Sequence, residues 1–301
     1  MMFNGLDVSH HNDIDWSAIG QLALSQNLYF AFCKASEGIT HGDLEFANNR
    51  TGSRSAGLLS GAYHFFLPTS DPVAQADLLI AQIGTLAPGE LPPVVDIEWT
   101  LIPKGKKGGR PELWKDLKGK ERIAVTKTFL DSVEARLGIK PIIYTAHAFW
   151  QEFFVAANAA ADLAFFAQYP LWIVNLNNKL NIPKPFARAT FVQNHFGELA
   201  PKNASAFEKL DHDFFNGNLF GLLALMTPGR TFDRNKKNTP LSAIVRDFQQ
   251  VLKAGGFYSS TLDGDFGKNT EKAVKDFQLS AGLTDTGVID ESTWKLLLPV
   301  A

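Results

Sequence analysis

The chain has one cysteine, Cys33, among its 301 residues. A single cysteine excludes an intramolecular disulfide and any metal site made of several thiolates. Because Cys33 lies in the apolar run 29–33, the sequence predicts a buried and unreactive thiol.

Long apolar runs and an excess of charge are also missing. No stretch approaches the roughly 18 apolar residues of a membrane span, and residues 1–7 lack the basic and apolar regions of a signal peptide. The net charge of −2 gives no reason to expect nucleic acid or acidic membranes as partners. We therefore expect a monomer that is made in the cytoplasm without a cleavable signal.

Strand-like and helix-like segments alternate over the first two-thirds of the chain. Helical patterns lie at 16–25, 44–56, 72–84 and 121–137, and the apolar runs that predict strands lie at 5–9, 29–35, 59–66, 93–99, 141–145, 170–175, 190–194 and near Asp211. This alternation predicts an α/β fold with a parallel sheet, and eight strands indicate a (β/α) barrel. The helical signal weakens after Phe166, so we expect hairpins between the last strands, one with its tip at 203–206.

Two segments interrupt this pattern. Residues 100–120 hold seven Lys and Arg side chains and predict a long basic loop, either solvated or facing carboxylates of the protein or its substrate. Residues 227–240 are polar and rich in Pro and Gly, which predicts a linker. We therefore expect a barrel at 1–226 and a small helical domain at 241–301.

The small domain contains a weak repeat. The segment 245–249 recurs at 274–278, and the turn at 263–267 is echoed at 285–287. Each copy pairs a helix with a turn. Because a unit of about 60 residues has little core of its own, we expect it to pack against the barrel.

The strand at 93–99 carries the strongest chemical signal. Val94, Asp96 and Glu98 share one face of the strand, whereas Trp99 belongs to the other. The two carboxyl groups lie roughly 6–7 Å apart at Cβ, and their burial and mutual repulsion would raise one pKa, as a general acid requires. Such a pair serves glycosidases. The alternative is an edge strand whose acids face water.

Other strand ends supply further candidates. Asp7 ends the first strand, where barrel enzymes keep their chemistry. The flat side chains at strand ends suit sugar rings or belong to the core: Tyr63, His64, Phe65, Tyr144 and Trp172. His10 and His11 near Asp13 allow a metal site, but adjacent strand residues point to opposite faces, so we expect none.

Together these motifs resemble the glycoside hydrolase family 25 lysozymes, the Chalaropsis-type muramidases. The matching segments are 5–9, 15–16, 32–38, 61–65, 96–98, 141–144, 169–172 and 210–211. The resemblance covers about residues 3–220. It implies an irregular TIM-like (β/α)5(β)3 barrel that cleaves the β-1,4 bond between N-acetylmuramic acid and N-acetylglucosamine without a cofactor.

The resemblance also implies roles for four acids. Glu98 matches the general acid/base of the family. Asp96 matches the carboxylate that acts either as the nucleophile or as support for the acetamido group of the substrate. Asp7 and Asp211 match acids at the ends of the first and last strands.

The sequence departs from the family pattern in two places. Asp213 stands where the family often has Asn. Gln193 begins a stretch in which the family commonly shows Trp-Gln-Tyr, and we expect it to contact the substrate.

Residues 241–301 resemble the peptidoglycan-binding domain 1 family of three-helix modules. The matching positions are Phe248, Gln249, 263–267, Phe277, Gln278, Gly287, Thr293 and Trp294. The whole chain then resembles a retaining lysozyme whose tail holds it on peptidoglycan. Removing 239–301 is expected to weaken action on intact sacculi but not on soluble fragments, since a tether changes only encounter.

Two alternatives stay open. Chitin presents the same acetamido sugars, so a chitinase or another hexosaminidase fits the acids as well. A catalytically silent wall-binding protein is the other, although the presence of all four acids disfavours it. A muramidase without a signal suits both a phage endolysin and an effector injected into a rival's periplasm.

Overall fold

The computed structural model describes residues 2–101, 111–157, 160–177, 179–197, 205–235 and 242–298. Four basic residues of the expected loop, Lys104, Lys106, Lys107 and Arg110, lie outside the described residues, as do 203–204 of the expected hairpin tip.

The described strands form one sheet that closes into a barrel. They are β1 (Phe3–Val8), β2 (Leu28–Glu37), β3 (His41–Gly42), β4 (Leu59–Phe65), β5 (Val94–Ile97), β6 (Ile142–Ala146), β7 (Leu171–Val174), β8 (Phe191–His195) and β9 (Asp211–Phe215). The sheet closes because β1 pairs in parallel with β2 and antiparallel with β9. Strand β3 extends the edge of β2 outside the eight-stranded barrel. The predicted barrel is confirmed.

Helices cover the outside of the barrel and make up the small domain that follows it. They are α1 (Trp16–Leu22), α2 (Phe46–Ser55), α3 (Pro72–Ile83), α4 (Gly119–Leu137), α5 (His147–Phe153), α6 (Ala160–Leu163), α7 (Leu219–Leu225), α8 (Ala243–Ala254), α9 (Lys268–Ser280) and α10 (Glu291–Leu297). The first four confirm the predicted helical segments. None of the described helices is long and apolar enough to cross a membrane.

Of the two connections between the last three strands, one is compatible with the expected hairpin and the other is not. Strands β8 and β9 are antiparallel, as a hairpin requires. The expectation is wrong for β7 and β8, which are parallel, so residues 175–190 must cross back along the barrel. This return lacks a helix among its described residues, and Trp150 Nε1 anchors it by donating to the Lys184 carbonyl at 2.8 Å.

Side chains alternate between the two faces of the barrel wall. Val95 packs outside against the helices, whereas Val94 points into the barrel. Four large rings, which we call the aromatic plug, fill the interior: Phe30, Phe32, Trp172 and Phe191. Gly5 makes room for them, because a Cβ there would lie 2.2 Å from the ring of Phe30. The barrel is therefore a packed core and not a channel.

The weak repeat in the small domain has a physical basis. Gln249 Oε1 accepts from Gly264 N at 2.9 Å, and its Nε2 donates to Thr270 Oγ1 at 3.1 Å. Gln278 does the same in the second copy, accepting from Gly287 N at 2.9 Å. Both glycines have positive φ, 72° and 74°. Each buried glutamine thus fixes a turn that favours glycine.

The small domain packs against the barrel, as expected from its size. Asp247 Oδ2 accepts from Tyr29 Oη at 2.7 Å, and Arg246 Nη2 donates to the same hydroxyl at 3.0 Å. The described part of the linker joins the contact, because Phe232 exchanges backbone hydrogen bonds with Ile289. Aromatic plug and small domain therefore belong to one continuous apolar cluster.

This shared cluster changes what removal of the tail would do. Truncation before α8 would expose Tyr29 and Phe232, which now lie under the small domain. We therefore expect a truncated barrel to lose stability, and with it activity on soluble fragments as well as on sacculi.

The two repeat copies offer a matched test of the contact. Asp276, the counterpart of Asp247, forms only an exposed pair with Lys272 in the same helix. We expect Asp247→Ala to lower the free energy of unfolding by about 2–3 kcal/mol, because it removes a buried carboxylate that accepts hydrogen bonds from both Tyr29 and Arg246. Asp276→Ala should cost about 0.5 kcal/mol or less. Urea unfolding, monitored by tryptophan fluorescence, measures the free energy of unfolding of both variants. Equal losses in the two variants would contradict the proposed role of Asp247 in the contact between the small domain and the barrel.

Candidate active site

A cleft of about 530 Å³ opens at the carboxyl ends of the barrel strands. Its lining residues come from seven strands and the segments that follow them: Asp7, Tyr63, Asp96, Glu98, Trp99, Tyr144, Ala146, Trp172, Val174, Gln193, Phe196 and Asp211. All four predicted acids are among them. The structure therefore brings together residues that are up to two hundred positions apart in the chain.

Asp96 and Glu98 both face the cleft, as predicted, although Glu98 follows the last residue of β5. Asp96 is only 7% exposed, and its Oδ1 has no hydrogen-bond partner among the described residues. Burial, and next the charge of Glu98, raise the pKa of Asp96 well above its ordinary value. Two neighbouring acids that resist being ionised together are suited to moving one proton.

Trp99 was predicted on the opposite face, and the structure corrects this. Strand β5 ends at Ile97, so alternation no longer fixes the direction of Trp99, which is 39% exposed and lines the cleft. Its ring packs edge-on against Phe149, and its Nε1 donates to Glu152 at 3.4 Å. The cleft thus has an aromatic side chain at its rim that the periodic pattern missed.

Asp7 and Asp211 face each other across the β1–β9 pair. Gln193 lies between them: its Nε2 donates to Asp7 Oδ2 at 2.6 Å and lies 3.5 Å from Asp211 Oδ2. Tyr144 Oη fixes this amide by donating to Gln193 Oε1 at 2.6 Å. Burial, and then the charge of Asp211, raise the pKa of Asp7.

Gln193 therefore holds an acid in place, although the sequence pointed to substrate contact. Its side chain lines the cleft but is only 2% exposed. The amide positions Asp7, and a substrate contact of the part that faces the cleft stays a prediction.

The predicted aromatic surfaces divide into two groups. Tyr63, Tyr144 and Trp172 line the cleft. His64 does not: it is fully buried behind the strand, stacked on Phe129 and hydrogen-bonded to Ser36 and Gln75.

The environment of His64 also excludes a sugar contact on physical grounds. Burial lowers the pKa of His64 to about 4. The ring is a neutral part of the layer between barrel and helices, so the structure corrects its assignment to the substrate. Phe65 lies outside the cleft lining, with its ring 5.2 Å from Lys34 Nζ.

Paired carboxyl groups and aromatic rings at the carboxyl ends of barrel strands define a class of protein, the barrel glycosidases. Comparison of the chain with known protein families identifies one family within this class. Residues 6–193 match Glycosyl hydrolases family 25, and residues 242–297 match a Putative peptidoglycan binding domain. The chain belongs to glycosyl hydrolase family 25.

The individual proteins that are similar to this chain include two lysozymes. The Uncharacterized protein YegX of Escherichia coli O6:H1 is 34% identical over 174 residues, 57% of this chain and 56% of its own length. Lysozyme M1 of Streptomyces globisporus is 30% identical over 226 residues, 73% of this chain and 70% of its own. The structure of a bacterial lysozyme from Streptomyces coelicolor aligns with a TM-score of 0.62 at 28% identity, covering 75% of this chain and 97% of that one. The chain thus spans little more than half of the first of these relatives.

We expect Glu98→Gln to keep the fold and lower cleavage of cell walls by about 100- to 10,000-fold, the usual loss of a positioned general acid. The amide keeps the volume of the side chain but cannot give up a proton. Turbidity loss of a cell-wall suspension measures the rate, with Glu291→Gln, on the surface of α10, as the control. A purified Glu98 variant within about threefold of wild type would exclude it as the acid.

We expect substitutions of the other three acids to lower the activity by different amounts. Asp96→Asn should be as impaired as the Glu98 variant, because Asp96 lines the same cleft beside Glu98. Asp7→Asn and Asp211→Asn should lose less, as supporting groups. The same turbidity assay ranks them. An Asp211 variant equal to wild type beside an inactive Asp213→Asn would show that these two positions on β9 have exchanged roles.

Proposed function

We propose that this protein is a peptidoglycan hydrolase, an N-acetylmuramidase that cleaves the β-1,4 bond between N-acetylmuramic acid and N-acetylglucosamine. The observation that carries the proposal is the Asp96–Glu98 pair, which faces one cleft together with Asp7 and Asp211. Family membership supports glycoside hydrolysis, and the lysozymes among the similar proteins favour peptidoglycan as the substrate. The proposed division is a barrel at 1–226, a linker at 227–240 and a wall-binding domain at 241–301.

Glu98 is the proposed general acid/base. It follows the last residue of β5 and is only partly buried, so it reaches the cleft with access to water. In the first step it protonates the glycosidic oxygen as the bond to the sugar breaks. In the second step it takes a proton from the attacking water, and the configuration at the anomeric carbon is retained.

Asp96 supports the positive charge that develops on the sugar, either directly or through the acetamido group of the substrate. Its buried, unpaired Oδ1 can accept the acetamido N–H. That hydrogen bond would favour the ionised form of Asp96 and leave the shared proton of the pair on Glu98. Substrate binding would then put the proton where the first step needs it.

The second domain is the proposed wall-binding part. Its match to a peptidoglycan-binding family supports contact with peptidoglycan and hence action at the cell wall. Because this domain is packed against the barrel through Tyr29 and Asp247, it would hold the cleft in a fixed orientation and not on a loose tether.

Product analysis separates the proposal from a chitinase or a silent binding protein. We expect digestion of purified peptidoglycan to release fragments with N-acetylmuramic acid at the new reducing ends, because the family's reaction breaks the bond on that side. Borohydride reduction followed by sugar analysis identifies the reducing residue, and the Glu98→Gln protein is the matched blank. N-acetylglucosamine ends, or faster release from chitin, would favour another hexosaminidase, and no new ends would favour a silent binding protein.

A further inference from the structure

A fifth carboxyl group lies beneath the cleft and has no part in the mechanism above. Asp213 is on β9, two residues after Asp211, and is 1% exposed. Its Oδ1 accepts from Trp172 Nε1 at 2.8 Å. Its Oδ2 is buried and has no hydrogen-bond partner among the described residues.

The described groups around Asp213 offer it no positive charge. The titratable side chains that face it are Asp7 from β1, Asp211 from the same strand and Tyr144 from β6. Gln193, its neighbour on β8, directs its amide N–H groups to Asp7 and Asp211 instead. Asp213 pairs across the sheet with Gly5, two residues before Asp7 on β1. A second ionised carboxylate so near Asp7 would be both desolvated and repelled.

We propose that Asp213 stays protonated in the working protein and donates its O–H to Asp7, so that it positions Asp7 for the reaction. Asp7 then has two donors, Gln193 from one side and Asp213 from below, and both hydrogen bonds favour its ionised form. Asp213 is a positioning residue, because it reaches the substrate only through Asp7.

The electrostatics agree with this placement of the proton. Burial, and next the charge of Asp7, raise the pKa of Asp213 well above its ordinary value. The proposed hydrogen bond from Asp213 to Asp7 would raise the pKa of Asp213 further and lower that of Asp7. The N–H of Trp172 lowers the pKa of Asp213 by stabilising the charged carboxylate, but it is a single uncharged donor.

The protonation state has a consequence for stability that needs no substrate. Above pH 4 an unfolded chain ionises Asp213, whereas the folded protein keeps its proton. The folded state then binds more protons, so stability falls as the pH rises towards the raised pKa. Asparagine cannot ionise, so Asp213→Asn should gain over wild type by roughly 2–3 °C in melting temperature for each pH unit above 4.5.

Calorimetry of the full-length protein from pH 4.5 to pH 8 measures this difference. Asp13→Asn, an exposed acid on the same end of the barrel, is the control and should show no trend. A melting-temperature difference for Asp213→Asn that stays level or falls with pH would mean that Asp213 is ionised in the folded protein, and would overturn the proposal.

A second measurement tests the positioning of Asp7 and rests on the proposed muramidase function. Asp213→Ala removes the donor and should lower cell-wall cleavage by about 10- to 100-fold, the usual worth of a hydrogen bond to a charged group. Asp213→Asn replaces the O–H donor with an N–H donor and should restore most of that loss. A folded Asp213→Asn as inactive as the alanine variant would show that the carboxylate itself is needed, contrary to the proposal.

The two measurements distinguish a failure of the proposed function from a failure of the inference about Asp213. If wild type releases no sugar ends from peptidoglycan, the proposed function fails while the calorimetry still reports the proton on Asp213. If wild type is active and the calorimetric trend is missing, only the inference about Asp213 fails.

Discussion

The confinement of carboxyl groups above a packed apolar barrel determines the chemistry of this protein. Phe32 stacks on Trp172 at 4.7 Å directly below the acids, so water cannot solvate them from beneath. Carboxyl groups in such a place resist ionisation unless a donor or a substrate stabilises the charge. Gln193 and Trp172 donate hydrogen bonds to these acids, and Tyr144 fixes the amide of Gln193. Proton distribution in the cleft is therefore set by the filling of the barrel as much as by the acids themselves.

The sequence was informative wherever one strand decided the outcome. Side-chain alternation was enough to place Asp96 and Glu98 in one cleft and Val95 outside it, because the rule needs only the local backbone. The barrel followed from the order of strands and helices, with the resemblance supplying its irregular end. The repeat around Gln249 and Gln278 predicted the helical domain, since each copy carries its own turn and the glutamine that fixes it.

The sequence failed where the neighbours of a residue come from elsewhere in the chain. His64 follows Tyr63 in an aromatic strand, but only the helices packed outside show that it belongs to the outer layer. Trp99 escaped the alternation rule because nothing local marked the end of β5 at Ile97. The protonation of Asp213 depends on Asp7, about two hundred positions away in the chain, and on Trp172, about forty positions away. No local pattern contains such information.

The position of the second domain limits how it can assist the barrel. It packs around Tyr29, near the start of β2, whereas the cleft lies at the other ends of the strands. Strands of five to seven residues separate these ends by about 17–23 Å. A flexible tether gains by searching many orientations, but a docked domain offers one. Under the proposed function, the wall segment that it holds must therefore lie beside the glycan strand being cut, at a distance fixed by the height of the barrel.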